Sequence, residues 1–397
     1  MQSPSTSRAQ FIYLTCQRGA EPALKKEIAK RRPNFRFSYS RPGFLTYKLP
    51  ALESLEKRLA LGVDSARLVF ARSLTHSLGV VDKRSALNDL GEFDFERAAD
   101  RVWELVEQEF GDDSQAARAR TFAGKAPLRI SRVDVYERDR LEIGARGFEP
   151  GETELAREIF DVVIKRAPER FQKYFAPNVD RLDEPRELGA ICLDVVVVER
   201  DEWRVGFHRA SDAHSQYPGG LLPIALPSDA VSRAFLKFEE GLRWSNFPIG
   251  VGSQCVDIGA SPGGGSQALL ARGADVLGVD PAEMAPIVLA HPNFTHLRGK
   301  IKQIKRKSFR KSRWFIADMN VAPNYALDAL EELATRDDVH ARGMLFTLKL
   351  FDWKLADEIP EYISRIKSWG FDRVKARQLQ FNRQEIMIAA LKKRDRR

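Results

Sequence analysis

Four charged residues in the last part of this chain stand where charge is costly. Lys237 falls in a helical stretch, Asp318 ends the apolar run WFIAD, Lys349 lies inside MLFTLKLF, and Glu385 opens EIMIAAL. Charges in runs that otherwise read as buried strands must be paired or bind a ligand. Two ammonium groups and two carboxylates together make a near-neutral cluster. Lysine becomes a general base when burial and a neighbouring cation draw its pKa toward neutrality. Lys349 is therefore expected to take a proton from a weakly acidic hydroxyl, with Lys237 as the neighbouring cation and Asp318 and Glu385 orienting both. Taken singly, each residue has a plainer reading: a surface helix lysine, a strand-edge carboxylate, a snorkelling side chain.

A second set lies in CVDIGASPGGGSQALLARGADVLGVD, residues 255–280. An apolar run (251–258) enters a Gly-rich turn, a helical pattern follows (266–272), and a second apolar run (274–279) ends on Asp280. In a strand–turn–helix–strand unit this turn lies at the carboxyl edge of a parallel sheet, where such folds bind ligands. Gly259, Gly263, Gly264 and Gly265 let backbone approach closely. Asp280 is placed to accept both hydroxyls of a ribose. Gly259 and Gly263 are separated by Ala-Ser-Pro, which fails the dinucleotide fingerprint, and the Walker Lys-Ser/Thr is missing. A ribose without a pyrophosphate fits S-adenosylmethionine. The candidate cofactor contacts are Asp257, Gly259, Ser261, Pro262, Gly263, Gly264, Asp280 and Asp318.

These residues need an alternating strand–helix scaffold, and residues 221–397 supply the pattern. A helix is expected from Ser228, its N-cap, through LKFEEGL. The Gly-loop unit follows, then a third strand, WFIADM, a helix over 325–336, the Lys349 strand, a helix over 356–369 and a hairpin over 372–393. That is an α/β Rossmann-like domain with a mostly parallel sheet and an antiparallel last strand. Ahead of it, residues 10–66 read as a small α+β module: a strand at FIYLTC, a helix over 21–31, strands near 35–39 and 43–49, and a helix over 51–61. Residues 67–210 form a second module with a strand-like run at 68–78, helices over 95–110 and 152–165, an alternating strand at 128–135, and a long hairpin at 191–209. Residues 1–9 read as a flexible tail and 211–220, SDAHSQYPGG, as a linker.

Length and composition set the outer bounds. A chain of 397 residues with 43% hydrophobic residues is expected to hold two or three folded domains. No apolar run approaches the ~18 residues of a membrane span, and the first ten residues lack a secretory signal's apolar core. Cys16, Cys192 and Cys255 lie far apart in apolar runs, without metal or disulfide spacing. His208 and His214 have no partner at metal spacing, so no metal is expected. A cytoplasmic protein follows, with a monomer as the default state. The net charge of +9 points to a polyanion, and RGKIKQIKRKSFRKSR, residues 298–313, holds nine Lys or Arg and no acid. It follows the third strand of the sheet, near the expected cofactor edge.

The order Ser-Arg-x-x-x-Lys (232–237), Asp-x-Gly-x-x-Pro-Gly-Gly (257–264), Asp280, Asp318, Leu-Lys-Leu (348–350) and the Arg-Gln before Glu385 resembles the FtsJ-like RNA ribose 2'-O-methyltransferases. LPSDAVSRAFLKFEE and ARQL resemble the RlmM-type branch, which methylates a cytidine ribose in large-subunit (23S) ribosomal RNA. The resemblance implies a lysine–aspartate–lysine–glutamate tetrad at Lys237, Asp318, Lys349 and Glu385, with Lys349 as base. It also implies a ferredoxin-like segment and a THUMP RNA-binding domain ahead of the catalytic one. There are departures: Gly265 stands where the family usually has Trp, Ser261 where Cys is frequent, and Gly299 and Lys300 where an acid near the adenine is expected. An amino-directed base methyltransferase would need Asn/Asp-Pro-Pro-aromatic where DMNVAP stands, and a carbon-directed one needs a site cysteine that Cys255 does not provide. The rival from another class is a non-catalytic RNA-binding assembly factor that keeps the fold.

Overall fold

A computed structural model of the chain describes residues 10–50, 68–110, 130–175 and 184–393. It divides into two compact units, Met1–Pro223 and Ile224–Arg397.

The first unit is built on one seven-stranded sheet. In chain order it contains β1 (Phe11–Thr15), α1 (Glu21–Arg31), β2 (Arg36–Arg41), β3 (Phe44–Lys48), β4 (Ser73–Asp82), α2 (Phe95–Phe110), β5 (Ile130–Glu137), α3 (Glu154–Lys165), β6 (Ile191–Glu199) and β7 (Glu202–Arg209). The strand order is β2-β3-β1-β4-β7-β6-β5. Strand β4 pairs with β1 on one side and β7 on the other, so the segments expected as separate modules share a continuous sheet. The helix expected over 51–61 lies outside the described residues. Helices α2 and α3 turn apolar stripes, including Trp103, Val106, Ile159 and Phe160, onto Val133, Val195 and Trp203 of the sheet. The Thr153 side chain caps α3 by accepting the Ala156 N–H.

Two expectations for this unit change. Residues 211–220 are not a free linker. Pro218, Gly219 and Gly220 are buried, Ser215 C=O bonds His208 Nε2 at 2.9 Å, and Gln216 C=O accepts the Arg186 N–H at 2.8 Å. The turn residues let the chain follow the unit's own surface. His208, without a partner along the sequence, meets several in space. Its ligand atom and those of Asp134 and Cys192 lie within 4.8 Å of one another. Both His208 ring nitrogens are already hydrogen-bonded, to Asp194 at 2.8 Å and to Ser215, and Asp134 takes the Arg186 guanidinium at 2.6 Å. This is a buried ion-pair network.

Arg186 and Asp134 are both fully buried. Removing one partner strands the other charge away from water, which costs about 3–5 kcal/mol. Arg186→Met should lower the urea midpoint of the amino-terminal unit accordingly. Unchanged unfolding would mean that water or another cation compensates Asp134.

The second unit contains α4 (Ala234–Ser245), β8 (Gln254–Ile258), α5 (Gly264–Leu270), β9 (Asp275–Asp280), α6 (Pro286–Leu289), β10 (Phe294–Arg298), β11 (Trp314–Ala317), α7 (Pro323–Ala334), β12 (Gly343–Lys349), α8 (Ile359–Ser368), β13 (Arg373–Arg377) and β14 (Glu385–Leu391). The order is β10-β9-β8-β11-β12-β14-β13, parallel from β10 to β12, with β14 antiparallel to both of its neighbours. This is the Rossmann-like methyltransferase arrangement expected from the sequence. The order reverses between β8 and β11, and in open sheets of this kind ligands bind at that point, beyond the carboxyl ends of the strands. Helix α4 begins at Ala234, six residues after the expected cap Ser228. The intervening stretch is tied to α5 instead, with Gln267 accepting the Val231 N–H at 2.8 Å and donating to Asp229 C=O at 3.0 Å.

The basic stretch also needs correction. Because β10 and β11 run in the same direction, the chain must return to the amino edge of the sheet between them. Arg313 N–H reaches Gln254 C=O, at the start of β8, at 3.0 Å. Arg298 and the residues just after it stand by the carboxyl edge, whereas Lys311 and Arg313 end at the opposite one.

Candidate active site

The tetrad comes together on four elements. Lys237 projects from α4, Asp318 follows β11, Lys349 ends β12 and Glu385 opens β14. The register pairs Lys349 directly with Glu385. Lys349 Nζ donates to Asp318 Oδ1 at 2.7 Å and forms a close ion pair with Glu385 Oε2. Lys237 Nζ reaches Asp318 Oδ2 at 3.1 Å and Glu385 Oε1 at 2.7 Å. Each lysine thus bridges both carboxylates, and the four charges close a ring. Glu385 is buried, while the other three keep a small exposed fraction.

Electrostatics within the ring differ from the sequence expectation. Burial by itself would lower the Lys349 pKa, but the Glu385 and Asp318 carboxylates outweigh it and hold the ammonium above its ordinary range. As folded, Lys349 is a cation, not a free amine. Burial would raise Asp318, yet Lys237 and Lys349 bring it down to about 2.

Three supporting residues escaped the sequence reading. Thr347 donates its hydroxyl to Asp318 Oδ1 at 2.6 Å. It lies two residues before Lys349 in a strand, hence on the same face, and that period was the available signal. Asn382 donates to Glu385 Oε1 at 3.3 Å. Glu240, fully buried one turn after Lys237, accepts the backbone N–H groups of Gln380 and Phe381 at 2.8 and 3.1 Å. It fixes the approach to Glu385, and its only sequence trace was a carboxylate amid the apolar residues of α4.

The Gly-rich loop lies beside this ring. Gly259 takes a left-handed φ of 76°, and a Cβ there would sit 3.3 Å from Asp318 C=O, so loop and tetrad abut. Gly263 and Gly264 open α5 against Val288 and Ser232. Ser261 and Pro262 form the crest, where Ser261 Oγ donates to Glu283 C=O at 2.8 Å. Asp280 accepts N–H groups from Ser261 at 3.1 Å and Ala282 at 2.7 Å. A carboxylate has about four acceptor positions, so room for two ribose hydroxyls remains. This suits S-adenosylmethionine: a half-exposed carboxylate at a strand end, a loop that side chains would fill, and a second carboxylate, Asp318, across Gly259. Gly299 and Lys300 follow β10 with their N–H groups bonded to Asp280 C=O and Gln303 Oε1, and neither brings a carboxylate.

Asp257 is the exception among the cofactor candidates. The structure turns it inward, fully buried, to accept the Ser266 hydroxyl at 2.7 Å. Gly265 explains the orientation, because a Cβ there would meet the Phe238 ring at 2.9 Å and Asp257 Oδ2 at 3.0 Å. Phe238 occupies the space a larger residue at 265 would need. Asp257 therefore steadies the loop from beneath instead of touching a ligand.

Burial pushes Asp257 up to about 7, against the pull of Ser266. An acid raised in the folded state keeps a proton that the unfolded chain has released. Stability therefore falls as pH rises from about 4 to about 7 and stays lost above that window. Asp318, held low, contributes the opposite sign in a separate window below pH 4. Asp257→Asn should flatten the upper window in chemical unfolding of this domain measured from pH 4 to 8. An unchanged slope would place the titration elsewhere.

Residues 230–385 match the family model described as FtsJ-like methyltransferase. The chain is similar to the ribosomal RNA large subunit methyltransferase M of Aeromonas salmonicida, 24% identical over 399 residues and covering 95% of each protein. The protein of that name from Tolumonas auensis is 24% identical over 404 residues, covering 95% of this chain and 94% of the relative. With the Halorhodospira halophila protein the identity is 27% over 177 residues, 44% of this chain and about half of the relative, 51%. Among solved structures, TrmN from Thermus thermophilus is similar at 14% identity with a TM-score of 0.33, covering 96% of this chain and 99% of that one, too loose a superposition to bear on function.

Proposed function

We propose that this chain, whose residues 230–385 are FtsJ-like, is an S-adenosylmethionine-dependent methyltransferase of ribose 2'-hydroxyls in large-subunit ribosomal RNA, of the RlmM type. The observation that carries this reading is the closed ring of Lys237, Asp318, Lys349 and Glu385 beside a ribose-ready Gly loop. We take the target to be a cytidine, as in the RlmM type. The enzyme acts in the cytoplasm, without a metal and as a monomer.

Asp280 would hold the cofactor's ribose, the backbone of Gly259, Ser261, Pro262, Gly263 and Gly264 would line its path, and Asp318 would flank it. Bound there, S-adenosylmethionine supplies a methyl group on a sulfonium, whose transfer to the ribose oxygen leaves a thioether and frees the hydroxyl proton. The chain's own residues must hold the hydroxyl and receive that proton at Lys349 Nζ. Lys349 starts as an ammonium between two carboxylates, so it first has to release a proton to solvent. The Lys349 ammonium would give up that proton more readily with a second positive charge near it, because a like charge disfavours the charged form. Lys237 keeps Asp318 and Glu385 in place when Lys349 is neutral. Positioning of the hydroxyl supplies much of the remaining acceleration.

For the amino-terminal unit we adopt the finer reading of a ferredoxin-like segment followed by a THUMP-like RNA-binding module. Support comes from the order β2-β3-β1-β4, every pair antiparallel, with α1 between β1 and β2. Exposed cations after β10, such as Lys300 and Lys302, would attract phosphate to the carboxyl edge.

Lys349→Ala should bind S-adenosylhomocysteine like wild type in calorimetry while methyl transfer falls about a hundred- to ten-thousand-fold. Because the resting ammonium is stabilised, wild-type kcat/KM should climb with pH from 7 to 9 without levelling. A flat profile would remove Lys349 from the role of base. Ribose-methylation mapping of total RNA from cells with and without the protein identifies the target: one site lost from large-subunit RNA is expected. With no site lost from any RNA, the chain is a binding-only assembly factor.

A further inference from the structure

The aromatic residues of the second unit divide sharply by exposure. Among the described residues of that unit, every Phe, Tyr and Trp is buried or half-buried except Tyr325 and Phe351, which are 72% and 59% exposed. Neither stands at a random place on the surface. Phe351 follows Lys349 by two residues, at most ~7 Å of extended backbone from the tetrad. Tyr325 is the third residue of α7, at the end of the helix that faces the carboxyl edge, after the loop that begins with Asp318. Strands β11 and β12 are parallel direct neighbours, so the segments that follow them, with Tyr325 and Phe351, both begin at the carboxyl edge of the sheet. Leaving a large ring in water forgoes the stabilisation of burying it, and elsewhere in this unit the fold avoids doing so.

From this placement we infer that Phe351 and Tyr325 are stacking surfaces for nucleobases: Phe351 for the base of the reacting nucleotide and Tyr325 for an adjoining one. The inference rests on the proposed ribose methylation and adds to it the kind of RNA that is accepted. A 2'-hydroxyl sits one carbon from the glycosidic bond, so a ribose held at Lys349 carries its base within reach of a ring two residues along the chain. Stacking on a protein ring requires a base face freed from its helical neighbours, which is how single-stranded RNA is recognised. The substrate nucleotide is therefore unpaired in the productive complex. Stacking also supplies orientation, because a base fixed in plane limits the rotation of its ribose and aims the 2'-oxygen.

The test uses the full-length protein and unmodified large-subunit ribosomal RNA from cells that lack it, with kcat/KM for methyl transfer as the readout and S-adenosylhomocysteine affinity as the control. Phe351→Ala and Phe351→Leu should each lose about 5- to 150-fold in kcat/KM, the worth of one base stack, at unchanged S-adenosylhomocysteine affinity. Phe351→Trp should stay near wild type, and Tyr325→Ala should fall in the same direction as Phe351→Ala. The leucine variant keeps apolar bulk without a ring, so a leucine variant as active as the tryptophan one overturns the inference. So does full activity of Phe351→Ala, or a parallel loss of S-adenosylhomocysteine binding. In each of those cases wild-type transfer persists and the proposed function stands. If wild type transfers no methyl to this RNA, the proposed function falls and the stacking roles fall with it.

Discussion

Four charges that are each too costly to bury alone shape the second unit. Glu385 is buried, and Asp318, Lys237 and Lys349 are mostly so, and a lone charge at such depth is costly. Joined in a ring, the two carboxylates compensate the two lysines. The ring demands accuracy from distant parts of the chain. A helix residue at 237 must meet strand ends at 318, 349 and 385. Glu240 helps meet that demand, since its bonds to the backbone of Gln380 and Phe381 lock α4 to the segment that delivers Glu385. Sheet register does the rest, with Lys349 and Glu385 paired across antiparallel strands.

The same parallel sheet sets the limits of the site. The Gly loop, Asp318 and Lys349 cluster where β8, β11 and β12 end, because the order reverses there, which is where such sheets bind ligands. The rule also governs the basic stretch: a chain joining two parallel strands must cross from one edge to the other, so a continuous run of cations is divided between them. Only its first part stands at the edge where the charged ring lies. Charge density along a sequence and charge density at a site are different quantities, and topology converts one into the other.

Much of this was legible from residue types alone. Strand and helix periods located nearly every element of the second unit, and a charge inside an apolar strand is a strong signal because burial makes it expensive. That is why Asp318, Lys349 and Glu385 stood out. Thr347, Asn382 and Glu240 did not, because single polar residues beside a strand or on a helix are ordinary until their partners are known. The start of α4 was misplaced for a related reason. Ser228 has the chemistry of a cap, but Gln267 on a later helix claims the backbone of that stretch. Local propensity cannot anticipate a bond made thirty-six residues away. The sheet shared by the two expected amino-terminal modules was hidden too, since β4 looks the same whether it has one neighbour or two.

Asp257 shows how a motif residue can matter without touching a ligand. Its place in Asp-x-Gly-x-x-Pro-Gly-Gly suggested a cofactor contact, yet its carboxylate points beneath the loop to Ser266. Gly265 makes this possible by leaving room for the carboxylate and for Phe238. The departure from the usual tryptophan is thus coupled to the residues around it: a larger side chain at 265 would displace Phe238 from the core or Asp257 from Ser266. Phe238 follows Lys237 directly on α4, so moving its ring would shift the helix that carries one corner of the charged ring. Loop and tetrad are therefore joined mechanically through Phe238, and a change at Gly265 would be felt at Lys237.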